Sequence, residues 1–158
     1  MLMESDLSLA FLIHDVGRKF RHRFDLRARA LGVTRPQWRT LLSIARNEGT
    51  TQSEIAEMIE VERITLCRMV DRLSAAGLVE RRADPQDRRV WRLHLMPKAR
   101  SIVSKLNAIG AEIEEEILAA LSPAELTILR EMLIRVRAGL QPNEQDGKGK
   151  RASAGGAA

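Results

Sequence analysis

The sequence predicts a mainly α-helical chain with one small β-hairpin, or wing. Three observations lead there. Apolar residues recur at three- and four-residue steps through most of the chain, and those stretches begin and end at cap signals. One segment alone, residues 78–95, reads with strand spacing, and a Pro-Asp turn divides it. The 44% apolar content is almost wholly aliphatic, with aromatics at 3% and no tyrosine, which suits a helical core.

The first helix reads from 6 to 31. Leu7, Ala10, Phe11, His14, Gly17 or Arg18, Arg21 and Phe24 follow its period, and Gly32 ends it. Thr34 caps a second helix with Pro36 in its first turn. That helix carries Trp38, Leu41, Leu42 and Ile44-Ala45 on one side and stops near Asn47-Glu48-Gly49. Thr51 starts the third, with Glu54 at the capping-box spacing and an apolar face of Ile55, Met58 and Ile59. After a short break at Glu60-Val61-Glu62, Leu66, Met69, Val70 and Leu73 form an i, i+3, i+4, i+7 stripe that should face the core, and Gly77 ends this helix. Strands are expected at Leu78–Arg82 and Val90–Leu95 around a turn holding Pro85 and two aspartates. Pro97 opens a long helix to about Leu121, with Ile102, Val103, Leu106, Ile109, Ile113, Ile117 and Leu118 as its stripe. Ser122-Pro123-Ala124-Glu125 restarts a last helix to about Leu140, with Leu126, Leu129, Met132, Leu133 and Val136 along one face. Residues 142–158 lose apolar periodicity and read as a disordered tail.

The 158 residues suffice for one domain with a substantial core. The formal charge of +5 and pI near 10.1 favour phosphate-bearing partners. Five arginines (81, 82, 88, 89 and 92) against two aspartates between residues 81 and 92 concentrate that charge in the hairpin. The scarcity of aromatics argues against a stacking platform for single strands. The single Cys67 excludes an intrachain disulfide and reads as a small packing residue. No nucleophile–base pair, phosphate loop or metal-ligand spacing is present, so no enzyme, cofactor or metal is expected. No run of 18 apolar residues and no signal core occur, so no membrane partner is expected and a cytoplasmic location is.

The helix pair at residues 51–76 has helix-turn-helix form, in which the second helix lies in a major groove about 12 Å wide while the first braces it. Pointing away from the Leu66–Leu73 stripe are Arg63, Ile64, Thr65, Arg68 and Arg72. Arginine forks onto guanine, and threonine meets a thymine methyl or a phosphate. Thr51 and Gln52, at the start of the bracing helix, complete the helical part of the candidate set. In the wing, Arg89 suits a narrow, electronegative minor groove, Asp87 would steady its guanidinium, and Arg82 and Arg88 would contact phosphates. The bland alternatives are a solvated helical hairpin and a surface turn with a local ion pair.

Taken in order, Val33-Thr34-Arg35-Pro36-Gln37-Trp38, Gln52-Ser53-Glu54-Ile55-Ala56, Val70-Asp71-Arg72-Leu73 through Gly77-Leu78-Val79-Glu80-Arg81, and Asp84-Pro85-Gln86-Asp87-Arg88-Arg89 ending in Leu93-His94-Leu95-Met96-Pro97-Lys98-Ala99 carry a resemblance. The chain resembles the MarR/SlyA family of winged-helix regulators over roughly residues 7–140. The resemblance implies a winged helix-turn-helix lobe at 33–96, dimerisation helices at 5–32 and 97–141, and a homodimer bound to pseudo-palindromic promoter DNA. Many members release DNA on binding a small, often aromatic or phenolic, effector, and repressors are common among them. The family's wing pattern Asp-x-Arg maps to Asp87 and Arg89, and Met96 stands where a threonine is usual. The family's pocket lies between dimer helices and DNA-binding lobe, so the implied ligand residues are Phe11, His14, Arg18 and Trp38. His14 and Arg18, one helical turn apart, would share a carboxylate, and Trp38 would cover a ring. A non-specific architectural DNA binder, a ligand-independent activator of the same fold and a protein–protein adaptor remain alternatives.

Overall fold

Ser8 opens the first helix, its hydroxyl accepting the Phe11 N–H at 3.2 Å, and α1 runs over Leu9–Ala28. The sequence predicted one helix to residue 31. Instead Arg29–Leu31 tightens into a 3-10 turn, because Gly32 N–H bonds to the Arg29 carbonyl at 3.0 Å and closes the end early. Gly32 makes that closure with φ at 72°, a conformation that costs glycine little. The computed structural model describes residues 7–87 and 89–140, so the expected tail at 142–158 lies outside the described residues. The chain divides into two units, residues 1–116 and 117–158.

In the first unit, α2 (Arg35–Arg46) begins at the predicted cap, where Gln37 Oε1 accepts the Thr34 N–H at 2.8 Å. The next helix, α3 (Gln52–Met58), begins at Thr51, whose hydroxyl and Glu54 cap one another as the spacing required. Met58 departs from expectation. It is 52% exposed, because the chain leaves α3 there and turns through Glu60 at φ 53°; Ile59 is buried in its place. Its sulfur accepts from Asn47 Nδ2 at 3.5 Å instead of packing inward.

Helix α4 (Arg63–Ala75) buries the stripe the sequence marked, Leu66, Met69, Val70 and Leu73. Leu41, Ile44, Ile55 and Leu93 are also fully buried, and Phe24 and Ala28 of α1 and Ala99, Val103, Leu106 and Ile113 of α5 (Pro97–Leu118) are wholly or nearly so. The antiparallel strands β1 (Val79–Ala83) and β2 (Trp91–Leu95) pair in the register Val79 to Leu95, Arg81 to Leu93 and Ala83 to Trp91. Both start one residue later than predicted, and β1 also ends one later. Leu78 N–H bonds instead to the Leu73 carbonyl at the end of α4, and Val90 N–H is taken by the Asp87 carbonyl in the turn. The segment before α3 lies along the outer side of β2: Gly49 N–H bonds to the Leu93 carbonyl and Leu93 N–H to the Thr50 carbonyl, each at 2.9 Å.

Glu48 fastens the same region. Its Oε1 accepts from Leu95 N–H at 3.1 Å and from Arg100 Nη2 at 2.7 Å, with His94 Nδ1 at 3.8 Å. Burial pushes this carboxyl up, but the Arg100 and Leu95 donors outweigh it and hold the pKa below the usual glutamate value.

The predicted stop of α5 near Leu121 falls at Leu118, where Leu121 N–H bonds back to the Leu118 carbonyl and Ser122 begins a new cap with Glu125. In the second unit, α6 (Pro123–Gly139) has the predicted apolar stripe, yet none of its residues is buried among the described residues.

Two substitutions test the assignment of the faces of α4. Leu66→Ala removes a fully buried side chain and should destabilise by about 2–5 kcal/mol in urea unfolding. Ile64→Ala, at a site 62% exposed, should change stability by less than about 0.5 kcal/mol. Equal losses would mean that the helix is rotated from this orientation. Glu48 gives a pH test. Its folded pKa is depressed, so its stabilising effect is complete above the unfolded value of about 4.3 and is lost as pH falls through the folded one. Glu48→Gln should therefore lower Tm at neutral pH and flatten its decline between roughly pH 5 and pH 3; parallel Tm curves for the two proteins would contradict this.

Candidate nucleic-acid interface

Burying one stripe of α4 directs the other outward. Arg63, Ile64, Thr65, Arg68 and Arg72 are all exposed. Arg63 keeps a loose pair with Glu57 at 3.6 Å, whereas Arg68 and Arg72 have no ion pair among the described residues. Cys67, between the two faces, is half-buried. The helix therefore presents cations and one aliphatic side chain to solvent, a set suited to phosphates, base edges and a thymine methyl.

At the start of α3 the two other candidates are already engaged. The Thr51 hydroxyl donates to Glu54 Oε2 at 2.8 Å and accepts the Glu54 N–H at 3.3 Å. The Thr51 N–H, then its hydroxyl, hold the Glu54 carboxyl below its usual pKa. Gln52 Oε1 accepts from Arg81 Nε at 2.6 Å, and Arg81 Nη2 reaches Asp71 Oδ1 at 2.6 Å. Arg81 thus ties β1 to the start of α3 and the flank of α4. It belongs to the arginine run the sequence displayed, but its partners lie 29 and 10 residues away and no local pattern announces them.

The wing turn is built on Asp84, whose carboxylate is buried. Its Oδ1 accepts from the Gln86 N–H at 2.7 Å and the Asp87 N–H at 3.2 Å, and its Oδ2 from Arg92 Nε at 2.5 Å. The Gln86 amide and then the Arg92 guanidinium hold the carboxyl below its usual pKa. Asp87 in turn accepts from the Arg89 backbone N–H at 2.9 Å and from its Nε at 3.3 Å, the pairing the sequence suggested. The Arg89 side chain remains 91% exposed. Arg82, expected to meet phosphate, pairs with Glu80 on its own strand. Arg88 lies outside the described residues. Asp84 and Arg92 were missed as site residues because their link joins the two ends of the turn to a distant loop.

The four candidate ligand residues are placed as follows. Phe11 and His14 are exposed on α1. Arg18 pairs with Asp15 at 2.5 Å, and Asp15 also takes Lys19 at 2.8 Å. Trp38 packs on Phe24 with ring centroids 4.6 Å apart and donates Nε1–H to Asp25 at 2.9 Å. A cavity of about 460 Å³ is lined by Asp25, Arg29, Gly32, Val33, Thr34 and Arg35, and by none of those four. Among the described residues no cluster of three His, Cys, Asp or Glu could hold a metal, and no helix is long and apolar enough to cross a membrane.

This geometry matches known proteins. Residues 31–90 fit the model of the MarR family. The transcriptional regulator PA3341 is 32% identical, the match covering 85% of this chain and 98% of that one with a TM-score of 0.75. A cysteine-to-serine mutant of MarR from E. coli, complexed with operator DNA, is 28% identical over 86% of this chain and 98% of that one, TM-score 0.69. The transcriptional regulator SlyA is 25% identical over 85% and 94%, TM-score 0.73. With its mainly helical build, two-stranded wing and a match over most of its length to these regulators, the chain belongs to the MarR family of winged-helix transcriptional regulators.

Proposed function

We propose that the protein is a homodimeric, sequence-specific repressor that binds a pseudo-palindromic promoter site and is released by a small aromatic ligand. The observation that carries the DNA reading is the outward face of α4, where Arg68 and Arg72 are exposed without ion-pair partners among the described residues. Side chains on such a helix enter the major groove. Arg89, held by Asp87 yet almost wholly exposed, is the side chain assigned to a minor groove, and its exposure supports that reading. The MarR structure solved with operator DNA supports the same reading of a related chain.

Self-association is supported by apolar surface. Leu9, Phe11, Leu12, Ile13 and Val16 are exposed on the first half of α1, and Ile128, Met132, Leu133, Ile134 and Val136 on α6. Exposed apolar side chains in this number suit a contact surface, and a two-fold pair would set two copies of α4 on half-sites about one DNA turn apart. The effector reading rests on Phe11, His14, Arg18 and Trp38. An aromatic acid there would compete with Asp15 for Arg18.

Arg89→Ala should weaken operator binding roughly tenfold or more while leaving oligomeric mass unchanged, as read by titration and light scattering. Normal binding by this variant would remove the wing from the interface. Arg68→Ala should cost about 1–3 kcal/mol at one base position, whereas a loss equal on all sequences would make Arg68 a phosphate contact. Paired Met132→Glu and Leu133→Glu should halve the mass in solution, and a persistent dimer would place the contact elsewhere. Aromatic acids should release a labelled operator, with Arg18→Ala raising the concentration required; unaltered sensitivity in that variant would dismiss this ligand site.

A further inference from the structure

We infer that Arg92 is the positioning residue of the wing: it makes the wing turn and the loop ahead of α3 one unit, so that Arg89 is presented at a fixed place relative to the helix pair. This rests on the reading of Arg89 as a DNA contact. Arg92 sits on β2 opposite Arg82, and its guanidinium serves two acceptors. Nε donates to Asp84 Oδ2 at 2.5 Å, and Nη1 to the Gly49 carbonyl at 2.7 Å. The Asp84 side chain is only 9% exposed and carries the turn through the Gln86 and Asp87 amides, while Asp84 N–H bonds to the Val90 carbonyl at 2.9 Å. Asp87 is the residue that holds Arg89.

The contacts therefore run without a gap from Gly49 through Arg92, Asp84 and Asp87 to Arg89. The Gly49 end is itself fixed. Gly49 N–H bonds to Leu93, and the neighbouring Glu48 is held by Leu95 N–H and by Arg100 of α5. Beyond Leu93 toward the tip no apolar side chain is fully buried among the described residues: Trp91 and Ala83 are exposed and Val90 is half-buried. The outer part of the wing thus depends on this forked guanidinium. A lysine keeps the charge but not the planar fork, so it cannot serve both acceptors at once.

The test compares operator affinity for the full-length protein and for Arg92→Met, Arg92→Lys, Arg89→Ala and the Arg92→Met/Arg89→Ala double variant. Positioning predicts that Arg92→Met and Arg92→Lys both lose about as much as Arg89→Ala, on the order of tenfold, and that the double variant loses little more than either single. Full affinity in Arg92→Lys would make Arg92 a plain charge on phosphate, and additive losses would make it independent of Arg89; either overturns the inference. If Arg92→Met does not fold, Asp84→Asn breaks the same link from its other end and replaces it in the cycle. If Arg89→Ala alone binds normally, the DNA role of the wing has failed, and amide exchange decides the positioning role. Arg92→Lys should then speed exchange at Gln86 and Asp87 roughly tenfold, and unchanged protection would refute it.

Discussion

The orientation of α4 about its own axis is the constraint on which the candidate interface depends. Leu66, Val70 and Leu73 are fully buried and Met69 nearly so. Burying each such side chain is worth roughly 1.5–3 kcal/mol, so together they outweigh any preference of the surface arginines. A helix advances about 100° per residue, so a rotation by one position would expose two or more of these and bury a guanidinium without a partner. The apolar core thus decides where Arg63, Thr65, Arg68 and Arg72 point. No contact made by those four side chains is needed to aim them.

The hairpin follows a different logic along its length. Near its base, Val79, Leu93 and Leu95 are buried and the strands are held by packing. Toward the tip the supply of apolar contacts ends and charged groups take over. Asp84 is buried only because two amides and a guanidinium satisfy it, the condition under which a carboxylate tolerates removal from water. Removing one partner of such a group costs more than the pair contributes, since the other is left buried and unmatched. The turn around Asp84 is therefore held by charged groups rather than by a core of its own.

Much of this was legible in the sequence because the signals are local. Cap signals at Thr34, Thr51 and Ser122 span four residues, and the α4 stripe spans eight, so each is complete within its own stretch of chain. Met58 leaves the face its spacing predicts because the chain turns at Glu60, and a non-glycine residue at positive φ leaves little trace in a sequence. The stripe on α6 was read correctly as apolar, but periodicity reports only that a face exists and is silent on what covers it. Arg81 and Arg92 escaped for another reason. Their acceptors, Gln52 and Gly49, are 29 and 43 residues away, so nothing in the arginine run separates them from Arg89.

That separation changes what the charge of the hairpin means. Arg81 is 26% exposed between Gln52 and Asp71, and Arg92 is committed to Asp84 and Gly49. Neither guanidinium can turn to a phosphate without abandoning a contact that shapes the lobe. Arg89 also has a carboxylate partner, yet its pair lies in water at 3.3 Å, where such interactions are worth no more than about 1 kcal/mol. That is enough to bias the rotamer and too little to withhold the charge from a nucleic acid. The described arginines of this short ribbon therefore fall into two kinds, distinguished by their partners and not by residue type. Arg81 and Arg92, each bonded to two groups, set the shape of the wing, whereas Arg82 and Arg89 are more exposed and each keeps one surface carboxylate, Arg89 at the longer distance. A net charge of +5 counts both kinds alike, so it overstates how much of the hairpin faces a phosphate. If Arg89 meets DNA as proposed, what the structural arginines contribute is the place at which it is held.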